Sequence, residues 1–195
     1  LMMGISDNAA TDFLCAEVGL DKVRLTLDKL GLTSTRIDGD CRDLFQTMYE
    51  DLEVETIAEL VEPTWEMAAK LRAIDPERTL HASSPRDMTR LLSLVWNDEA
   101  AAPEACAEVR RILGLQVWPH RLASGFADND KVRTSGKTGT LPTIRNEVGV
   151  VEYPDGGRYA VAVFTRAHTL AQKQPAADAV IGTSARWAVD QLRTS

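Results

Sequence analysis

Two short stretches of this chain carry residue types that could do chemistry together. One is Thr134-Ser135-Gly136-Lys137-Thr138-Gly139-Thr140, a lysine between two glycines with hydroxyls around it. The other is Ser6-Asp7-Asn8, far upstream. A cation beside hydroxyl donors, on a strand whose glycine lets a ligand lie against the backbone, is suited to hold a carboxylate. A serine hydroxyl can donate and accept at once, and an asparagine amide offers a paired donor and acceptor. Each stretch also has a plain structural reading. The first can be a solvated strand end before a turn, and the second a helix cap.

The elements that would position these residues follow from periodicity. Ala9, Ala10, Phe13, Leu14 and Val18 recur at helical spacing behind Ser6-Asp7-Asn8, and Gly19 reads as the stop. A second helix carries Val23, Leu27 and Leu30, with Asp21 as its cap and Gly31 as its end. Thr33 to Asp43 is polar and turn-rich and reads as a loop. Leu44 to Ile74 returns to helical spacing, including Ile57, Leu60 and Val61, with Glu62-Pro63 opening a further helix. Its acidic residues, among them Glu50, Glu53, Glu59 and Glu62, read as a solvated face or as a lid over a cleft. Ser84-Pro85-Arg86-Asp87 is a helix start with Asp87 as capping-box acid, and Pro103 opens the next helix, ending at Gly114. In that helix Ala105, Cys106, Val109, Ile112 and Leu113 face inward.

Leu115 to Asp130 reads as loop. Three strands then follow: one including Lys131–Lys137, one from about Asn146 to Tyr153, and Arg158–Arg166 after a Pro154-Asp155-Gly156-Gly157 hairpin turn. Ala160–Phe164 is apolar on both faces, so it should be covered on both sides. A helix from about Gln174 to Leu192, facing inward through Ala177, Val180, Ile181, Ala188 and Leu192, closes the chain. The expected fold class is α+β, a mainly helical part over 1–130 and a sheet with its C-terminal helix over 131–195, together one domain.

Composition narrows the function classes. The 195 residues are 44% hydrophobic, enough for a proper core. A net charge of −7 and a pI near 5.0 argue against a nucleic-acid partner. No apolar run approaches the roughly 18 residues that a membrane span needs. Cys15, Cys41 and Cys106 lack metal-ligand spacing, and His81, His120 and His168 are scattered, so no metal or cofactor is expected. Leu1-Met2-Met3-Gly4-Ile5 has neither the charged start nor the apolar run of a signal peptide, and it reads as a cut inside a longer apolar segment.

Ser-Asp-Asn at a helix start, followed far downstream by Lys-Thr-Gly-Thr on a strand, resembles the class A β-lactamases and penicillin-binding proteins. The resemblance covers nearly the whole chain, including Ser84–Met88, the Pro-Asp-Gly hairpin and the terminal helix. It implies that Ser6 relays a proton toward the leaving nitrogen and that Asn8 holds a substrate amide. It implies that Lys137 sets positive charge near Ser6, that Thr138 and Thr140 donate to a substrate carboxylate, and that Gly139 leaves the strand face open. The Thr140 amide matches an oxyanion donor. Arg145, on the next strand, is the candidate second cation for the same carboxylate, or else a salt-bridged surface arginine. The implied substrate is a β-lactam or a peptidoglycan-like amide, and the implied location is secreted or cell-envelope.

Two departures qualify the implied activity. No serine in the chain stands in a Ser-x-x-Lys, so the acyl-accepting nucleophile is expected upstream of Leu1, in a segment needed to complete the fold. The family's Ω-loop pattern Glu-x-x-Leu-Asn is also altered, with Cys41 aligning where the water-activating glutamate belongs and Phe45 where the asparagine belongs. Asp40 and Asp43 are near, and an insertion the size of a helical hairpin follows, with Glu50 or Glu53 as alternative bases. β-Lactam hydrolysis through an acyl-serine is the first reading. A penicillin-binding, DD-peptidase-like or esterase-like acyl transferase with slow deacylation, or a non-catalytic binding module, are the alternatives.

Overall fold

The computed structural model describes residues 1–56, 64–127 and 130–194. It is an α+β fold in which a short helix α1 (Met2–Ile5) leads through Ser6 into α2 (Asn8–Val18). Asp7 caps α2 by accepting the Ala10 N–H at 2.6 Å. Helix α3 (Leu20–Leu30) starts directly after Gly19, which is its cap, so Asp21 lies in the first turn instead of capping it. The short strand β1 (Arg36–Ile37) pairs antiparallel with β2 (His81–Ala82).

Residues 33–43 are more ordered than their polar composition suggested. Asp40 caps α4 (Cys41–Leu52) in a reciprocal box, its carboxylate taking the Asp43 N–H at 2.9 Å while Asp43 takes the Asp40 N–H at 3.0 Å. Helix α5 (Trp65–Lys70) is capped by Thr64. A 3-10 turn over Arg72–Ile74 follows, and Arg72 ties it to α4 through Asp51 at 2.6 Å and Glu50 at 2.8 Å. Met48, Ala68, Leu71, Ala73 and Ile74 form a small core there, packed against Leu141 and Ile144. The residues Ile57, Glu59, Leu60, Val61 and Glu62-Pro63 lie outside the described residues.

Helix α6 (Pro85–Trp96) begins where Ser84-Pro85 indicated, with Ser84 Oγ accepting the Asp87 N–H. The Asp87 carboxylate does not close a capping box. It accepts instead from Ser34 N at 2.8 Å and Thr35 Oγ1 at 2.7 Å, pinning α6 to the approach of β1. In α7 (Pro103–Leu113) Cys106 and Leu113 are buried, while Val109 is exposed.

The main sheet is an antiparallel meander in the order β3 (Arg133–Leu141), β4 (Ile144–Glu152), β5 (Arg158–Arg166). Strand β3 starts two residues later than expected because Lys131 sits in the left-handed region, at φ 53°. One face packs on α6 and α7 through Leu92, Val95, Trp96, Leu113 and Val150. The other packs on α8 (Pro175–Thr194) and a 3-10 turn over Leu122–Gly125, through Leu122, Phe126, Val151, Val161 and Val189. Strand β5 meets helices on both faces, but of Ala160–Phe164 only Val161 is buried, and the run lines a groove beside Trp187 of α8.

Helix α8 faces inward through Ile181, Gly182, Ala185 and Val189, leaving Val180 and Leu192 exposed. The stripe is set by close approach. A Cβ on Gly182 would lie 2.6 Å from the Arg121 carbonyl oxygen and 2.7 Å from the Gly125 nitrogen, backbone atoms that cannot turn aside. Gly182→Ala should therefore destabilise the fold by about 1–3 kcal/mol through overpacking, despite alanine's better helix propensity. Denaturant unfolding checks this, and an unchanged or raised midpoint would contradict the packing argument.

Candidate active site

Strand alternation sorts the Lys-Thr-Gly-Thr stretch onto two faces. Lys137 points to the helical side, where its Nζ donates to Ser6 Oγ at 2.7 Å and to the Thr138 carbonyl at 2.6 Å. Ser6 joins α1 to α2 with φ 60° and ψ 42°, a left-handed conformation that costs a serine roughly 1–2 kcal/mol. Burial pushes the Lys137 ammonium below the ordinary lysine range, while the Glu147 carboxylate opposes that shift. A lysine biased toward release of its proton, in hydrogen-bond contact with a hydroxyl, can pass a proton along the pair.

Asn8 is the first residue of α2, two positions after Ser6, and is exposed. It lines a cleft of about 640 Å³ together with Asp12, Cys41, Phe45 and Tyr49. Asp7, expected to be structural, is the α2 cap.

Thr138 and Thr140 lie on the strand positions opposite to Lys137. The Thr138 N–H donates to Gln116 Oε1 at 2.9 Å, away from β4. By alternation the Thr140 N–H, two residues on, also turns to the open edge of β3. Gly139 is exposed, and a Cβ there would meet only Asn146 Cβ at 3.7 Å. No protein atom requires glycine at 139, and the absence of a side chain leaves the strand surface bare there. Gly136 differs, because a Cβ there would lie 2.9 Å from the Val148 carbonyl.

Arg145 is not placed to meet a ligand beside these threonines. Its guanidinium is buried and donates to the carbonyls of Leu141, Ile144 and Gln172, bracing the β3–β4 turn against the segment before α8. The cation beside Thr140 is Arg121, whose Nη2 donates to Thr140 Oγ1 at 2.9 Å. Its Nη1 donates to the Gly139 and Asn146 carbonyls and its Nε to Asp178 at 2.7 Å. Arg121 falls in a stretch that composition marks only as loop, so an arginine there carries no periodic signal.

Behind the strand Glu147 is buried. It accepts the Leu122 N–H at 2.6 Å and the Gln116 Nε2–H at 2.8 Å, so Gln116 links it to Thr138. An acid directly before the apolar run Val148–Val151 of β4 is the sequence signal that could have flagged this network.

The position expected to hold a water-activating glutamate is occupied by Cys41, the first residue of α4. Its N–H donates to Asp12 Oδ1 at 2.7 Å. Burial first, and then the Asp12 carboxylate, push its thiol up to about 11, so it stays protonated near neutral pH. Asp40 and Asp43 are spent in their capping box, and Glu50 is paired with Arg72. Among the described residues no cluster of three or more His, Cys, Asp or Glu side chains could hold a metal ion. Among them, too, no helix is long and apolar enough to cross a membrane.

Burial raises the Glu147 carboxyl above the ordinary glutamate value of 4.5, against the lowering pull of its hydrogen bonds. The folded chain thus binds this proton more tightly than the unfolded chain does. The corresponding stability is fully present below the unfolded value and is lost as pH rises through the elevated folded one. Glu147→Gln removes this dependence and keeps an acceptor for Leu122 N–H. Unfolding free energies followed from about pH 4 upward should show wild type losing ground to the variant. Parallel curves would exclude Glu147 as the titrating group.

The chain is 30% identical over 209 residues to the "Beta-lactamase regulatory protein BlaB" of Streptomyces cacaoi, covering 99% of this chain and 66% of that protein. Its fold is similar to that of a β-lactamase from Sphaerobacter thermophilus DSM 20745, with TM-score 0.72 and 23% identity over 97% of this chain and 59% of that one. It is also similar to PBP-A, with TM-score 0.72 and 20% identity over 100% and 60% of the two chains. The β-lactamase from Streptomyces albus G gives TM-score 0.71 and 20% identity over 95% and 59%. The chain thus spans just under two thirds of its regulatory relative and about three fifths of these structures. The beta-lactamase enzyme family matches residues 1–192, and with its α+β architecture the chain belongs to that family.

Proposed function

We propose that this chain supplies the substrate-binding and proton-relay part of a serine acyl transferase that opens β-lactams or related peptidoglycan-like amides and then deacylates slowly. The observation that carries the proposal is the Lys137 Nζ to Ser6 Oγ hydrogen bond. A scaffold has no need to hold a half-buried lysine against a strained serine. The acyl-accepting serine lies, on this reading, in a segment upstream of Leu1. Its Oγ attacks the amide carbonyl, the C–N bond breaks, and the leaving nitrogen takes a proton through Ser6.

The substrate carboxylate is held by Thr138 and Thr140 with the Lys137 charge nearby, while Arg121, buried and engaged by Asp178 and two carbonyls, orients the Thr140 hydroxyl. The Thr140 N–H stabilises the oxyanion, and Asn8 receives the side-chain amide. Slow deacylation follows from Cys41. A neutral thiol cannot take a proton from water as a carboxylate does. A second reading, a β-lactam-responsive binding module, is favoured by the same neutral thiol and by the regulatory name of the Streptomyces cacaoi relative.

The test uses the longer polypeptide that carries the serine, incubated with a chromogenic cephalosporin. A mass increase on that serine with little turnover is the expected result. Neither turnover nor a mass increase would defeat the proposal, whereas rapid turnover would restore full hydrolysis. Lys137→Ala should lower the acylation rate at least tenfold, about 1.4 kcal/mol of transition-state stabilisation. Cys41→Glu should shorten the lifetime of the adduct by on the order of tenfold or more. An unchanged lifetime, read by mass spectrometry after removing free β-lactam, would clear Cys41 of the block.

A further inference from the structure

The segment Leu115–Arg121 runs along the open side of the site and is fastened at three points. The Val117 N–H donates to the Gly4 carbonyl at 3.1 Å, two residues before Ser6. Gln116 takes the Thr138 N–H, and Arg121 reaches Thr140 Oγ1. Side chains between these anchors are thereby confined to the neighbourhood of Ser6 and the 138–140 stretch. They are large and apolar, and they are left in water. Leu115 is 56% exposed, Val117 54% and Trp118 43%, and Ile5, beside Ser6, is 46% exposed. The backbone of Leu115 and Val117 runs beside Gly4, so these side chains and Ile5 share one stretch of surface next to Ser6. The Leu115 carbonyl comes close to Gly4, 3.5 Å from where a Cβ would stand, and the Trp118 ring meets His120 edge-on at 6.2 Å.

We infer that Ile5, Leu115, Val117 and Trp118 form a specificity wall for an apolar, preferentially aromatic, substituent of the substrate. The inference rests on the reading of Ser6, Lys137 and Thr138–Thr140 as an acyl-transfer site. With the carboxylate at the threonines and the leaving nitrogen at Ser6, the wall adjoins the leaving-group side. Asn8 serves the acyl side. In a cephalosporin the group that faces the wall is therefore the one on the carbon next to the carboxylate-bearing carbon of the six-membered ring. Trp118 offers a ring face for stacking, and the aliphatic residues exclude water around it.

The experiment uses the longer polypeptide and two cephalosporins with the same acyl side chain, one with an aromatic and one with a small polar substituent at that ring carbon. The aromatic compound should be preferred. Trp118→Ser should cut the preference about tenfold while changing the rate for the polar compound little, and Trp118→Phe should retain most of it. A ratio unchanged by Trp118→Ser overturns the wall. So does a Trp118 fluorescence, isolated by difference with Trp118→Phe, that acrylamide fails to quench in the free protein, because the rim is then covered by other chain. Should neither compound acylate any serine, the acyl-transfer reading fails. The wall is then judged by equilibrium binding of the same two compounds, where an equal affinity for both defeats it and a Trp118-dependent preference sustains it.

Discussion

An ammonium group partly withdrawn from water and bonded to a serine 131 positions away is the contact on which this structure turns. It joins the first helices to the sheet beside the packing of Met3 on the Leu113 and Val150 core. Desolvation weakens the charged form of Lys137, and the bond to Ser6 returns part of what hydration loses. The same bond holds Ser6 in its left-handed backbone. On the proposed function chemistry and architecture share this one interaction, which places a half-buried cation there.

The rest of the site is arranged so that β3 stays rigid while its outer edge stays open. Arg121 grips Gly139, Thr140 and Asn146 from one face and is itself held by Asp178 of α8. Glu147 and Gln116 brace Thr138 from behind. Such a network is favourable only when nearly every donor and acceptor is matched, and here the matching is close. The close approach of Gly182 to the Arg121 turn extends the support into the C-terminal helix.

Much of this was legible in the residues. The Ser84 cap, the hairpin at Pro154–Gly157 and the span of β5 follow from turn chemistry and periodicity, which are local, whereas the pairing of Ser6 with Lys137 follows only from the family resemblance. What escaped was decided by competition between distant partners. Arg145 looks able to meet a carboxylate, but three carbonyls claim it, and Arg121, which no local signal marks, is the arginine that reaches Thr140. Asp40 and Asp43 look like spare acids near a loop, yet they cap α4 in a reciprocal pair that a polar composition conceals. On α8 the inward stripe follows the glycine that permits contact rather than the largest side chains.

The left-handed joint at Ser6 has a consequence for how binding and shape are tied together. An anion that draws the Lys137 ammonium toward itself weakens the bond that keeps Ser6 in its costly conformation. Relaxation of that joint must, by thermodynamic reciprocity, alter the affinity for the anion in the same proportion. On the proposed function, a carboxylate bound at Lys137 is thereby coupled to the conformation of the turn between α1 and α2.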